Sequence, residues 1–178
     1  GTGNPAGVVL GADSLGDEQM LRIATELGFS ESAFVSASDK ADFRVRFFSP
    51  KQEVDFCGHA TIATFHTLME QGRVLIAGAS KRIVTQETKA GVLKVECFAE
   101  GKIVMSQNLP EFGYIEEDRA RIASLLSIHP ENILDYPIQS VSTGTPKLVI
   151  PVDSLKTLQA ITPNLEGIAF YTESRGFY

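Results

Sequence analysis

Two short stretches carry side chains able to do chemistry. The first is Cys57-Gly58-His59-Ala60-Thr61, where the extended Val54-Asp55-Phe56 runs into an apolar helix. A helix start gathers backbone N–H groups that lack intrahelical acceptors, together with the positive end of the helix dipole. It therefore holds a carboxylate or phosphate. Gly58 lets a ligand come close to the backbone. Cys57 stands at the N-cap, where the dipole favours a thiolate and makes its proton easier to lose. His59 lies in the first turn. Each has a plainer reading: a buried cysteine is usually an inert small hydrophobe, and a lone histidine is usually satisfied by its neighbours. Side by side at a glycine, they argue for function.

The second stretch is Ser30-Glu31-Ser32, directly before the apolar Ala33-Phe34-Val35. Held against an apolar wall, Glu31 is suited to passing a proton. From spacing alone, a carboxylate that merely turns the chain is the better reading. Gly3-Asn4-Pro5 and Ser142-Thr143-Gly144-Thr145-Pro146 are polar turns feeding apolar strands, and each alone reads as an ordinary turn. His66 reads as packing or surface, His129 before Pro130 as incidental, and Cys97 as core. Spacing offers no zinc pair, no glycine-rich phosphate loop and no serine–histidine–aspartate elbow.

These residues need elements to position them. Val8-Val9-Leu10 is a buried strand after the Gly3–Gly7 turn, and 17–27 is a helix with apolar residues at helical spacing and Gly28 as its stop. Ser32–Val35 is a strand; Phe43, Val45 and Phe47 alternate with Arg44 and Arg46, the pattern of a half-buried strand. The stretch from Gly58 to about residue 71 is helical in length and carries no Asp, Glu, Lys or Arg before Glu70. Such a helix is buried on nearly every side and needs a sheet around it. The alternating segments 82–88, 92–98 and 102–107, separated by glycine turns, supply an antiparallel meander. Leu109–Gly113 reads as a linker, 115–127 as an amphipathic helix, 138–141 and 148–152 as strands, Ser154–Ala160 as a capped helix and 168–171 as a closing strand. The order turn, strand, capped helix, strand thus occurs at 4–34 and again at 143–171, the grammar of a duplicated fold. The expected halves are 1–110 and 111–178.

Composition sets the bounds. With 178 residues, 43% apolar and 21% charged, the chain has the balance of an ordinary globular protein, which excludes a disordered or collagenous one. No apolar run approaches the roughly 20 residues of a membrane helix, so no membrane partner is expected. A net charge of −6 argues against a nucleic-acid partner, which needs clustered Lys and Arg. Two cysteines make no disulfide framework, and a reduced, cytoplasmic protein is expected. The chain opens at Gly1 and stops at Tyr178, and neither reads as a finished terminus.

Four ordered segments resemble the phenazine-biosynthesis isomerase family, usually called PhzF-like. They are Gly3-Asn4-Pro5-Ala6-Gly7-Val8, Ser30-Glu31-Ser32-Ala33-Phe34, Phe48-Ser49-Pro50 running on through Glu53 to Thr61, and Ser142–Pro146. The resemblance implies an α+β, diaminopimelate epimerase-like fold. In it, two similar halves each wrap a curved, mostly antiparallel sheet around a central helix, and the site lies in the cleft between them. It implies that Glu31 is the acid/base carboxylate moving a proton between substrate carbons, which reverses the reading from spacing. It implies that Gly58, His59 and Ala60 line the site at the helix start, that Asn4 and Ser30 shape it, and that Cys57 lies where related epimerases and racemases place a catalytic cysteine. The family's opening strand and its Asp-Pro-x-Thr-Gly-Ser-like second helix start have no counterpart in these residues, so the second half is expected to be incomplete here.

The function expected is that of a cofactor-independent isomerase of a small carboxylate-bearing metabolite, with no metal and with a homodimer as the family-level assembly. Two alternatives stay open: a cysteine-based racemase or epimerase using Cys57, and a non-catalytic relative that binds small anions.

Overall fold

Alternation and glycine stops in the first hundred residues build the sheet that carries the candidate site. The computed structural model describes residues 3–107, 109–143 and 146–175, and the chain divides into two compact units, Gly1–Ser106 and Gln107–Tyr178. The first unit runs β1 (Gly7–Leu10), α1 (Asp17–Leu27), β2 (Ser32–Ser36), β3 (Phe43–Phe48), β4 (Glu53–Val54), α2 (Gly58–Glu70), β5 (Lys81–Thr88), β6 (Gly91–Phe98) and β7 (Ile103–Met105). Its strands form one sheet in the order β1-β2-β3-β5-β6-β7, with β4 paired to β3. β1 lies parallel to β2 and β3 parallel to β5; the remaining pairs are antiparallel.

The two faces of β2 show how the layers arise. Phe34 points to α1, in a cluster with Ala12, Met20, Ala24 and Phe48. Val35, one residue on, points to the other face, in a cluster with Phe65 and Leu68 of α2, Val84 of β5, and Val95 and Cys97 of β6. Strands from both ends of the sheet thus close on α2, as the uncharged helix required. Phe65 and Leu68 are fully buried, each contributing about 1.5–3 kcal/mol of apolar transfer. α1 ends where Gly28 takes up a left-handed conformation (φ 68°) and returns its N–H to the Ala24 carbonyl, 3.2 Å away, as a C′ glycine does.

The second unit contains β8 (Glu111–Glu116), α3 (Arg119–Leu126), β9 (Ile138–Ser142), β10 (Lys147–Val149), α4 (Leu155–Ala160) and α5 (Leu165–Glu173). Its sheet has the order β10-β9-β8, all antiparallel. Three expectations fail here. The stretch read as a linker, 109–113, leads into strand β8, which pairs with β9 through a register shift between Phe112 and Ile115. The helix expected from 115 begins only at Arg119, because the Asp118 carboxylate caps it by accepting the Arg121 N–H at 2.9 Å. The closing strand expected at 168–171 is helix α5, started by Asn164 accepting the Gly167 N–H at 3.0 Å. The run Ile168-Ala169-Phe170-Tyr171 is apolar throughout, and such a run cannot be told from a strand by period. The second copy of the repeat therefore ends in a helix. Of the turn 142–146, Gly144 and Thr145 lie outside the described residues.

Candidate functional site

Three element starts converge. The parallel pairing of β1 with β2 sets Gly7 opposite Ser32, and the Gly7 N–H reaches the Glu31 carbonyl at 3.3 Å. That places the Asn4 turn beside Ser30 and Glu31. The fit is close: a methyl group on Gly7 would stand 2.6 Å from the Ser32 Oγ and 2.8 Å from Leu27 Cδ1, so any larger residue would have to push both side chains aside. The third start is that of α2. Cys57 and Ala60 pack in one cluster with Ala33, Val45 and Phe47, which fixes the helix start against the beginning of β2.

His59 is the hub. Its Nε2 lies 3.4 Å from Glu31 Oε2, 3.3 Å from Asn4 Nδ2 and 3.5 Å from Ser30 Oγ, and its Nδ1 lies 3.4 Å from Cys57 Sγ. The Asn4 amide donates to Ser30 Oγ at 3.0 Å. The Glu31 and His59 side chains are 27% and 29% exposed, open enough to meet a small molecule and covered enough to hold one geometry. Gly58 is half-buried at the helix start, and α2 carries no acidic residue of its own in its first turn, so the carboxylate facing the positive end of the dipole is Glu31, brought there from the start of β2. The methyl of Ala60 is buried in the core; Ala60 offers the site its backbone alone.

The structure corrects the expectation for Cys57. The helix start was expected to ease loss of its proton, but the thiol is pushed up to about 11. Burial is the main cause and the neighbouring Glu31 charge adds to it; the N–H groups of Ala60 and His59 pull the other way and lose. A dipole effect of the first turn does not match the cost of desolvating sulfur at this depth. Cys97 is fully buried in β6, within the core around α2, and His66 is exposed on α2 beside Glu70.

Spacing missed the layer beneath the site. Thr61 returns its hydroxyl to the Cys57 carbonyl at 2.8 Å and accepts Gln86 Nε2 at 3.4 Å. Gln86 is fully buried on β5, and its Oε1 has no partner among the described residues. Gln86 sits on the inward phase of β5 with Val84 and Thr88, so a polar residue at an apolar phase was the available signal.

The family model described as phenazine biosynthesis-like protein, PhzC-PhzF, matches residues 1–177. The chain belongs to this family. An uncharacterized isomerase of Clostridium acetobutylicum is 39% identical over 99% of this chain and 61% of its own length. The crystal structure of a PhzF-family phenazine biosynthesis protein of Bacillus anthracis is 37% identical, covers 91% of this chain and 55% of that one, and superposes with a TM-score of 0.82. A Pseudomonas aeruginosa protein described as a predicted epimerase shares the fold, with a TM-score of 0.84 at 24% identity over 99% of this chain and 63% of that one. The chain spans about 60% of the length of the curated relatives it matches. The α+β, epimerase-like architecture expected from the resemblance is the one found.

Proposed function

We propose that this chain carries the proton-transfer side of the site of a cofactor-independent isomerase acting on a small carboxylate-bearing metabolite. Supporting this reading above all is the Glu31–His59 contact, 3.4 Å at the start of a buried helix. Glu31 takes a proton from one substrate carbon and returns it to another. His59 orients the carboxylate and serves as the neighbouring proton carrier. The substrate carboxylate binds at the helix start against the Gly58 N–H, with Asn4 and Ser30 as further polar contacts.

The cysteine-based reading draws less support. A thiol pushed up to about 11 is a poor base near neutrality, and the other cysteine is sealed in the core. The test is solvent-deuterium incorporation into a panel of small carboxylic acids, followed by NMR. Incorporation that disappears in Glu31→Gln and persists in Cys57→Ser is the expected result. Incorporation untouched by Glu31→Gln would sink the assignment.

A further inference from the structure

Glu31, Cys57 and His59 offer one carboxylate oxygen, one sulfur and one ring nitrogen, all within 4.8 Å of one another. No spacing rule reveals this set, because Glu31 comes from the start of β2 and the other two from the start of α2. Sulfur, imidazole and carboxylate are together the donor chemistry of zinc and cadmium, not of magnesium or calcium. The distances suit it. Ligand atoms around a tetrahedral zinc stand about 3.5 Å apart, as its bond lengths dictate, and the Cys57–His59 and His59–Glu31 contacts are both 3.4 Å. Those two contacts use opposite nitrogens of the ring, so a single ion takes one of them and draws the third donor in.

We infer that Glu31, Cys57 and His59 form a binding site for a soft divalent cation such as Zn2+ or Cd2+, and that the ion acts as an inhibitor of the site, not as its cofactor. On binding, the metal–sulfur bond replaces the S–H bond and the thiol proton passes to buffer. The thiolate and the Glu31 carboxylate together balance the two charges of the ion, which the positive end of α2 would otherwise repel. A solvent molecule completes four-coordination. Ligation occupies the Glu31 oxygen that carries the proton, so the inhibitory consequence rests on the isomerase reading, whereas the binding itself does not.

Cadmium is the probe, because its bond to a thiolate gives an ultraviolet charge-transfer band readable without any substrate. Chelator-treated protein is titrated with Cd2+ alone. A band saturating at one ion per chain is expected, retained in Cys97→Ser and lost in both Cys57→Ser and Cys57→Ala. Glu31→Gln and His59→Asn are expected to weaken binding by at least about ten- to a hundred-fold, the loss already seen when only a partner of a ligand is removed, with circular dichroism confirming that each variant is folded. A band that survives loss of the Cys57 sulfur, or an affinity unmoved by both Glu31→Gln and His59→Asn, overturns the site. Deuterium incorporation measured in chelator tests the proton-transfer reading separately, so either can fail alone.

Discussion

Two carboxylates, one in each unit, are held in opposite ways. Glu116 of β8 is 7% exposed. It accepts from the Tyr171 hydroxyl, from Tyr114 at 3.0 Å and from the Asp118 N–H at 2.9 Å, and Arg175 stands 3.6 Å away. The Arg175 guanidinium also lies 4.2 Å over the Tyr171 ring. Burial alone would push the Glu116 carboxyl up, but these donors together hold it below the ordinary range. Glu31 is about a quarter exposed; its carboxylate approaches His59 at 3.4 Å and lies beside the Cys57 thiol. A carboxylate surrounded by short donors is fixed in one state and stiffens its surroundings. One held by fewer and longer contacts still has lone pairs to offer a substrate or an ion. If Glu31 has the role proposed for it, lone-pair availability, more than burial, is what separates it from Glu116.

The sharpest way to break this contrast is a matched pair of isosteric changes. Glu31→Gln should lower deuterium incorporation by about 10³-fold, the usual scale for losing a general base, with thermal unfolding nearly unchanged. Glu116→Gln should do the reverse, leaving exchange intact while costing about 3 kcal/mol of stability in denaturant titration, because Arg175 loses its buried charge partner and one acceptor oxygen becomes a donor facing Tyr171 or the Asp118 N–H. Equal effects of both changes on stability would erase the distinction. A depressed carboxyl contributes stability above its ordinary value of 4.5 and loses it as pH falls below that. The acid limb of the wild-type stability profile should therefore flatten in Glu116→Gln.

A third carboxylate lies between these extremes. Glu53 takes a two-pronged contact from Arg46, 2.7 and 2.9 Å, while Arg46 also reaches Asp17 of α1 at 2.8 Å and covers the Phe48 ring. Arg46→Ala should cost about 2 kcal/mol, chiefly from stranding the part-buried Glu53, measured by the urea midpoint. The smallest effect concerns Cys57. With its thiol pushed up to about 11, against an ordinary 9.0, iodoacetamide labelling in chelator should rise with a midpoint near 11. A raised thiol contributes stability that is whole below pH 9 and fades as pH climbs toward 11. Cys57→Ala should remove that alkaline loss.

Most of the first unit was legible because each signal there is local. Arg44 and Arg46 against Phe43, Val45 and Phe47 state a strand; Gly28 states a stop; the stretch from Gly58 to Met69, free of formal charge, states burial. The second unit hid its elements where local signals conflict: Ile168–Tyr171 satisfies strand and helix alike, and the deciding cap is Asn164, four residues upstream. For the site, the helix start could be read from Cys57-Gly58-His59, but Glu31 could not, since one carboxylate in a turn has no pattern. The role proposed for it rests on family resemblance, and its meeting with a histidine on pairing across the sheet. Burial holds the Cys57 proton more tightly than the helix start alone implies; a dipole is visible in sequence, depth of burial is not.

β1, β2 and α2 all point the same way, and every site residue precedes or opens one of them. Their far ends lie away from the candidate site. The loop 71–80 leaves α2 there, anchored by Val74 in the core and exposed from Ala77 to Ser80. For engineering this is a separation of duties within a single layer. A peptide tag or a fluorescent domain spliced in near Gly78 would be carried as if on a handle, past the end of α2 opposite the candidate site.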